Sequence, residues 1–141
     1  MIGLGLDIDC TITACPRLFS LMTEAVKQNG GQVHIISGRT DDPEVMRITR
    51  EELVSWKIRF DAVHLLPDNL QAERTCPHQE LDWYQKYLWQ KVDYCQRNGI
   101  AVVFDDDQKV IDLFLKYAPE IKVFKSCDSL PEAIPDDEVS C

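Results

Sequence analysis

The chain has 141 residues, 45% of them apolar and 28% charged, which fits one compact domain able to bury roughly 68–70% of its unfolded surface. Its formal charge of −9 argues against a nucleic-acid backbone as the main partner, though a local cation or helix N-terminus still admits a small phosphorylated ligand. No apolar run in the sequence reaches the ~18 residues of a bilayer crossing, so no membrane partner is expected.

The first apolar run, Ile2 to Ile8, has no basic region before it and no small-residue cleavage site after it. It reads as a strand rather than a leader, which makes a cytoplasmic protein the expectation. A proline-led helix from Pro16 to about Gln28 follows and stops at Asn29-Gly30-Gly31. The second strand is Gln32 to Ile36, and a helix from about Asp42 to Trp56 carries the N-terminal signature Asp41-Asp42-Pro43-Glu44. Phe60 to Leu66 is the third strand. Pro67 to Gln79, polar and proline-containing, reads as a long loop.

A helix from about Leu81 to Arg97 stops at Asn98-Gly99, before a fourth strand at Ile100 to Phe104. Gln108 to Tyr117 is a further helix, Ile121 to Phe124 a fifth strand and Ser129 to Ile134 a short last helix. The domain is expected to span 1–134, with 135–141 an acidic tail. Short, continuous apolar strands alternating with helices predict a three-layer α/β fold around a parallel sheet. The six cysteines include no Cys-x-x-Cys pair, so reduced thiols are expected rather than a disulfide scaffold or a zinc site.

Ligands of an open parallel sheet bind beyond the carboxyl ends of its strands. The first strand ends in Asp7-Ile8-Asp9-Cys10-Thr11, the second in Ser37-Gly38-Arg39, the third in Pro67-Asp68-Asn69 and the fourth in Asp105-Asp106-Asp107. Two strands thus deliver carboxylates to one edge. Crowded carboxylates raise each other's pKa unless a cation neutralises them, and an oxygen-only donor set favours a hard ion such as Mg²⁺. Asp7 and Asp9, two apart on an extended strand, lie to the same side, so one can attack a reacting centre while the other moves a proton. Taken singly, each motif also has a plain structural reading as a helix cap or turn.

Together, the apolar strand ending in Asp7-x-Asp9-x-Thr11, the strand ending in Ser37-Gly38 and the strand ending in Asp105-Asp106 resemble the haloacid dehalogenase superfamily of phosphohydrolases. The resemblance implies a Rossmann-like five-stranded sheet of order 3-2-1-4-5. It implies that Asp7 is the nucleophile that becomes an aspartyl phosphate, and that Asp9 is the acid and base. Mg²⁺ would be held by the Asp7 carboxylate, the Asp9 carbonyl and Asp106 or Asp105, with Asp106 favoured as the direct ligand. Ser37 with Gly38 would bind the phosphoryl group, and Thr11 would brace the loop after the strand. A lysine on the helix before the fourth strand would neutralise charge. Lys86 and Lys91 both lie there, and Lys86, nearer the helix start, is preferred. Strand alternation leads to the expectation that Asp105 and Asp106 do not enter the site alike.

The segments between Thr13 and Gln32, and from Pro67 to Gln79, are too short for the cap domains of such proteins, so a minimal, capless member is implied. Such a site either stands open to varied substrates or is closed by a neighbouring subunit in a homo-oligomer. Arg17, Arg39, His78, Trp83 and Tyr84 are candidates for its mouth; Trp83, Tyr84 and Trp89 also suit helix packing. The expected function is a Mg²⁺-dependent phosphatase acting on a phosphorylated substrate of unknown identity. Two alternatives belong to other classes. One is a response-regulator-like receiver domain, with Asp68 phosphorylated and Lys125 its lysine. The other is a non-catalytic binding module on the same fold.

Overall fold

The computed structural model describes residues 1–127. Its five strands, β1 (Gly3–Leu6), β2 (Gln32–Thr40), β3 (Ala62–Leu66), β4 (Val102–Asp105) and β5 (Lys122–Lys125), form one sheet. All four pairings are parallel, in the order β3-β2-β1-β4-β5. The helices are α1 (Pro16–Gln28), α2 (Pro43–Ser55), α3 (Asn69–Thr75), α4 (Trp83–Arg97) and α5 (Gln108–Tyr117). The expected three-layer α/β, Rossmann-like fold and its strand order are therefore the observed ones. The short last helix and the acidic tail lie outside the described residues.

Strand alternation sorts the core into two halves. Leu4, Leu6, Val33 and Ile35 pack with Phe19 of α1 and Leu53 of α2 on one face. Ile36 and Val103 face the other way, into a cluster with Leu88, Val92 and Cys95 of α4 and Val110 and Phe114 of α5. Gly5 faces this second side too, where an added Cβ would lie 3.0 Å from Ile36 and 3.3 Å from Ile100 and Val103. A side chain at position 5 would therefore press on this layer. The alternation carries Asp7 and Asp105, each two residues beyond Gly5 and Val103, onto the α4 side of the sheet's carboxyl edge.

Helix starts follow their caps. Asp42 accepts hydrogen bonds from Glu44 N and Val45 N, and Asp82 forms a reciprocal capping box with Gln85. Two elements differ from expectation. Residues 69–75, read as loop, form α3, whose Asp68 cap accepts from Gln71 N at 3.0 Å. β2 continues past Ile36 to Thr40, with a register shift against β3 between Ser37 and Thr40. No helix among the described residues is long and apolar enough to cross a membrane.

Candidate functional site

β1 and β4 end side by side, and their carboxylates meet. Asp7 (8% exposed) and Asp105 (1%) are buried, and one oxygen each from Asp7, Asp105 and Asp106 lie within 4.8 Å of one another. Asp105 and Asp106 both reach the cluster but not alike: Asp105, the last residue of β4, is buried against Lys91, whereas Asp106, past the strand end, is half-buried. Asp107 instead caps α5, accepting from Lys109 N at 2.9 Å.

The lysine in this cluster is Lys91, not Lys86. Lys91, 5% exposed, donates to Asp7 Oδ1 at 3.1 Å and to Asp105 Oδ2 at 2.7 Å. Lys86 is buried as well, but it donates to Glu73 of α3 at 2.7 Å, outside the carboxylate cluster. Burial opposes the Lys91 ammonium, yet the Asp7 and Asp105 carboxylates outweigh it and hold its pKa above the ordinary lysine range. Burial also pushes Asp7 and Asp105 up to about 6 against the pull of Lys91.

Three carboxylates against one ammonium leave an excess of two negative charges, the charge of one divalent cation. With oxygen donors only, the cluster fits a hard divalent ion. The buried aspartates are therefore able to hold a metal ion, with Asp7, Asp105 and Asp106 as its side-chain ligands.

Around this centre the first turn is tightly braced. Thr11, fully buried, lies 3.4 Å from Asp7 Oδ2 and 2.8 Å from Ser126 Oγ, and Ser126 N donates to Asp105 O at 2.9 Å. Between them Cys10 takes a left-handed φ of 65°, which turns the chain sharply after the strand. Ser37 is 1% exposed and its Oγ accepts from Arg39 N at 3.1 Å. Gly38 has open space above it, with nothing within 4 Å of an added Cβ.

Asp9 stands apart from the buried cluster, its side chain 59% exposed. Arg39 forks its carboxylate at 2.9 and 3.0 Å and reaches Thr49 at 3.0 Å and Glu52 at 2.7 Å on α2. The hydrogen bonds from Arg39 hold the Asp9 carboxyl below the usual range, so it is ionised here. Arg39 thus acts on Asp9 and α2, a more specific position than the mouth residue expected.

The other mouth candidates divide. Tyr84 lies within electrostatic reach of Lys91, Asp105 and Asp106, with Lys109 Nζ 5.0 Å from its ring centre, and Trp83 is exposed beside it. His78 stacks on Tyr117 at 3.9 Å and meets Trp89, so it does not belong to the mouth, and Trp89 is buried in the core as helix packing. Tyr87, overlooked in the sequence, donates to Gly38 O at 2.9 Å from one helical turn before Lys91. Its position four residues from Lys91 is the signal that finds it once the lysine is known.

No family model and no curated protein matches the chain. Among solved structures, it is similar to a chain of the Pnkp1/Rnl/Hen1 RNA repair complex, with TM-score 0.60 and 14% identity over 87% of this chain and 41% of that one. A second structure of the Pnkp1/Rnl/Hen1 complex gives TM-score 0.58 and 17% identity over 87% and 45%. The chain thus spans less than half of either, and the likeness is one of fold.

Proposed function

We propose that the protein is a Mg²⁺-dependent phosphomonoester hydrolase working through an aspartyl phosphate on Asp7. The observation that carries this reading is the buried Lys91 ammonium between the Asp7 and Asp105 carboxylates, with Asp106 beside them, at the carboxyl edge of a parallel sheet. A carboxylate attacks a phosphate dianion only where their mutual repulsion is cancelled. Asp7, Asp105 and Asp106 would hold Mg²⁺, which would supply part of that cancellation, and Lys91 supplies the rest.

An Asp7 oxygen attacks phosphorus, the ester P–O bond breaks, and the departing oxygen takes a proton from Asp9. Water then attacks the phosphorus of the aspartyl phosphate and gives its proton to Asp9. Phosphate leaves and Asp7 is regenerated. Ser37, on β2 two residues past its last pairing with β1, is the side chain that hydrogen-bonds a phosphoryl oxygen. Arg39 favours the ionised, proton-accepting form of Asp9 needed in the second step; the first step requires that pair to loosen.

The test is hydrolysis of an aryl phosphate with Mg²⁺, with chelator, and with Asp7→Asn. Turnover abolished by the chelator and by the substitution supports the reading; turnover surviving both overturns it. The receiver alternative makes Asp68 the phosphorylated residue, but Asp68 lies outside the carboxylate cluster and caps α3. Phosphate incorporated at Asp68 from a small phosphodonor would favour that alternative. Absence of turnover on any ester, with the fold intact, would leave the binding module.

A further inference from the structure

Beyond Ser37, on the α4 side of the sheet, a groove of about 380 Å³ opens over the ends of β2 and β3. At a water's share of ~30 Å³, it has room for about a dozen water-sized groups. Thr40, Asp41, Asp68, Gln71 and Tyr87 give it a polar wall, and Leu66 is part of its apolar lining.

Two hydrogen bonds from α4 fix its edges. Tyr87 Oη donates to Gly38 O at 2.9 Å, and the buried Gln90 donates from Nε2 to Pro67 O at 3.0 Å. Both residues lie within four positions of Lys91, so one helix sets the cluster and the groove in register. Thr40 is three residues past Ser37, about 10 Å along extended chain, and open space over Gly38 lies between them. A phosphoryl group at Ser37 therefore has its ester oxygen within reach of the groove.

We propose that this groove is the subsite for the leaving group, and that it takes a hydroxyl-rich alcohol of hexose size carrying no second anionic group. The inference rests on the phosphatase reading. The Asp41 and Asp68 carboxylates accept hydrogen bonds from hydroxyl donors and repel a second phosphate, while the Gln71 amide and Thr40 hydroxyl both donate and accept. The half-buried Pro67 offers a surface to the apolar face of a sugar ring. The overall charge of −9 acts in the same direction against a polyanionic leaving group.

The experiment compares kcat/KM, with Mg²⁺, for glucose 6-phosphate, fructose 1,6-bisphosphate, a 3′-phosphorylated oligonucleotide and methyl phosphate. Methyl phosphate shares an alkoxide leaving group with the hexose ester but does not reach the groove. The expected result is that wild type favours glucose 6-phosphate over methyl phosphate by at least 100-fold, and over the bisphosphate and the oligonucleotide by at least 10-fold. Thr40→Trp and Gln71→Trp, which fill the groove, each cut the first ratio 10-fold or more. Hydrolysis of all four esters with a ratio unmoved by either substitution, or a preference for the bisphosphate or the oligonucleotide, overturns the groove assignment and leaves the phosphatase intact. Failure to hydrolyse any of them overturns both.

Discussion

Replacing Lys91 by methionine keeps most of the side-chain volume but takes the ammonium from between Asp7 and Asp105, which are 8% and 1% exposed. Removing one partner of a buried ion pair strands the other charge, at a cost of ~3–5 kcal/mol. For a domain of this size that corresponds to a fall in Tm of roughly 10–20 °C. Lys86→Met is the matched control. Its partner Glu73 has a side chain 56% exposed, so the carboxylate left behind stays hydrated and the expected loss is only ~0–1 kcal/mol.

The Lys91 deficit also has a pH signature. Burial already raises Asp7 and Asp105 to about 6 in the presence of Lys91, and without the ammonium both rise further. A carboxyl whose folded pKa exceeds its unfolded value contributes stability that is complete below the unfolded pKa and is lost as pH climbs through the folded one. The Lys91→Met deficit should therefore be larger at pH 8 than at pH 5. Adding Asp105→Asn to Lys91→Met should recover part of it, because one of the stranded charges is gone. Urea midpoints for the two single variants and the double variant at both pH values measure all of this. Equal losses at positions 86 and 91, or a Lys91→Met deficit that ignores pH, would refute the electrostatic account of the cluster.

Mg²⁺ at a hundred times its dissociation constant should add about 2.7 kcal/mol to the wild type, and Asp106→Asn should shrink the matching thermal shift; equal shifts in both proteins would place the ion elsewhere. Arg39→Gln releases the Asp9 carboxylate from the fork that orients it, so release of phosphate from Asp7 should slow by about tenfold, a part of the roughly 10²–10⁴-fold that a positioned general base contributes. Rapid quench should then show a burst of alcohol ahead of phosphate, and simultaneous release of the two products at the wild-type rate would count against the role given to Arg39. Burial lowers the pKa of His34 and His64. Their contribution is thus complete above ~6.5 and is lost as pH falls through the folded values. His64→Phe, which keeps an aromatic ring against Tyr94, should gain stability relative to wild type between pH 7 and pH 5, and parallel urea midpoints across that range would contradict this.

What the sequence exposed of this site was what sits next to a strand. Asp7 and Asp105 follow apolar runs directly, and the alternation of a strand carries its side-chain directions to the end. Asp106, named there as a metal ligand through the resemblance, lies past the end of β4, where a two-residue period no longer fixes its direction. Residues 69–75 were hidden by the prolines at 67 and 77, although Asp68 with Gln71 three positions later is the spacing of a helix N-terminus. The Arg39–Asp9 fork had no local signal. It depends on β2 running on to Thr40 and on α2 returning Thr49 and Glu52 to the same guanidinium, contacts between 10 and 30 residues apart.

The choice between Lys86 and Lys91 turns on side-chain direction rather than on distance along the helix. Five residues rotate a helix by about 140° beyond a full turn, so the two lysines face different neighbours. Proximity to the helix start favours Lys86 only if side chains project straight outward. They instead lean toward the helix N-terminus and cover the turn before their own Cα. From Lys91 that lean, extended by a four-carbon stem, brings the ammonium up to the strand ends at Asp7 and Asp105. From Lys86 the same lean carries the charge past the strand ends to Glu73 on α3. A lysine serving the carboxyl edge of a sheet is thus to be sought about one turn deeper in its helix than the edge itself. Tyr87, one turn above Lys91, occupies the level of the edge and holds the Gly38 carbonyl there.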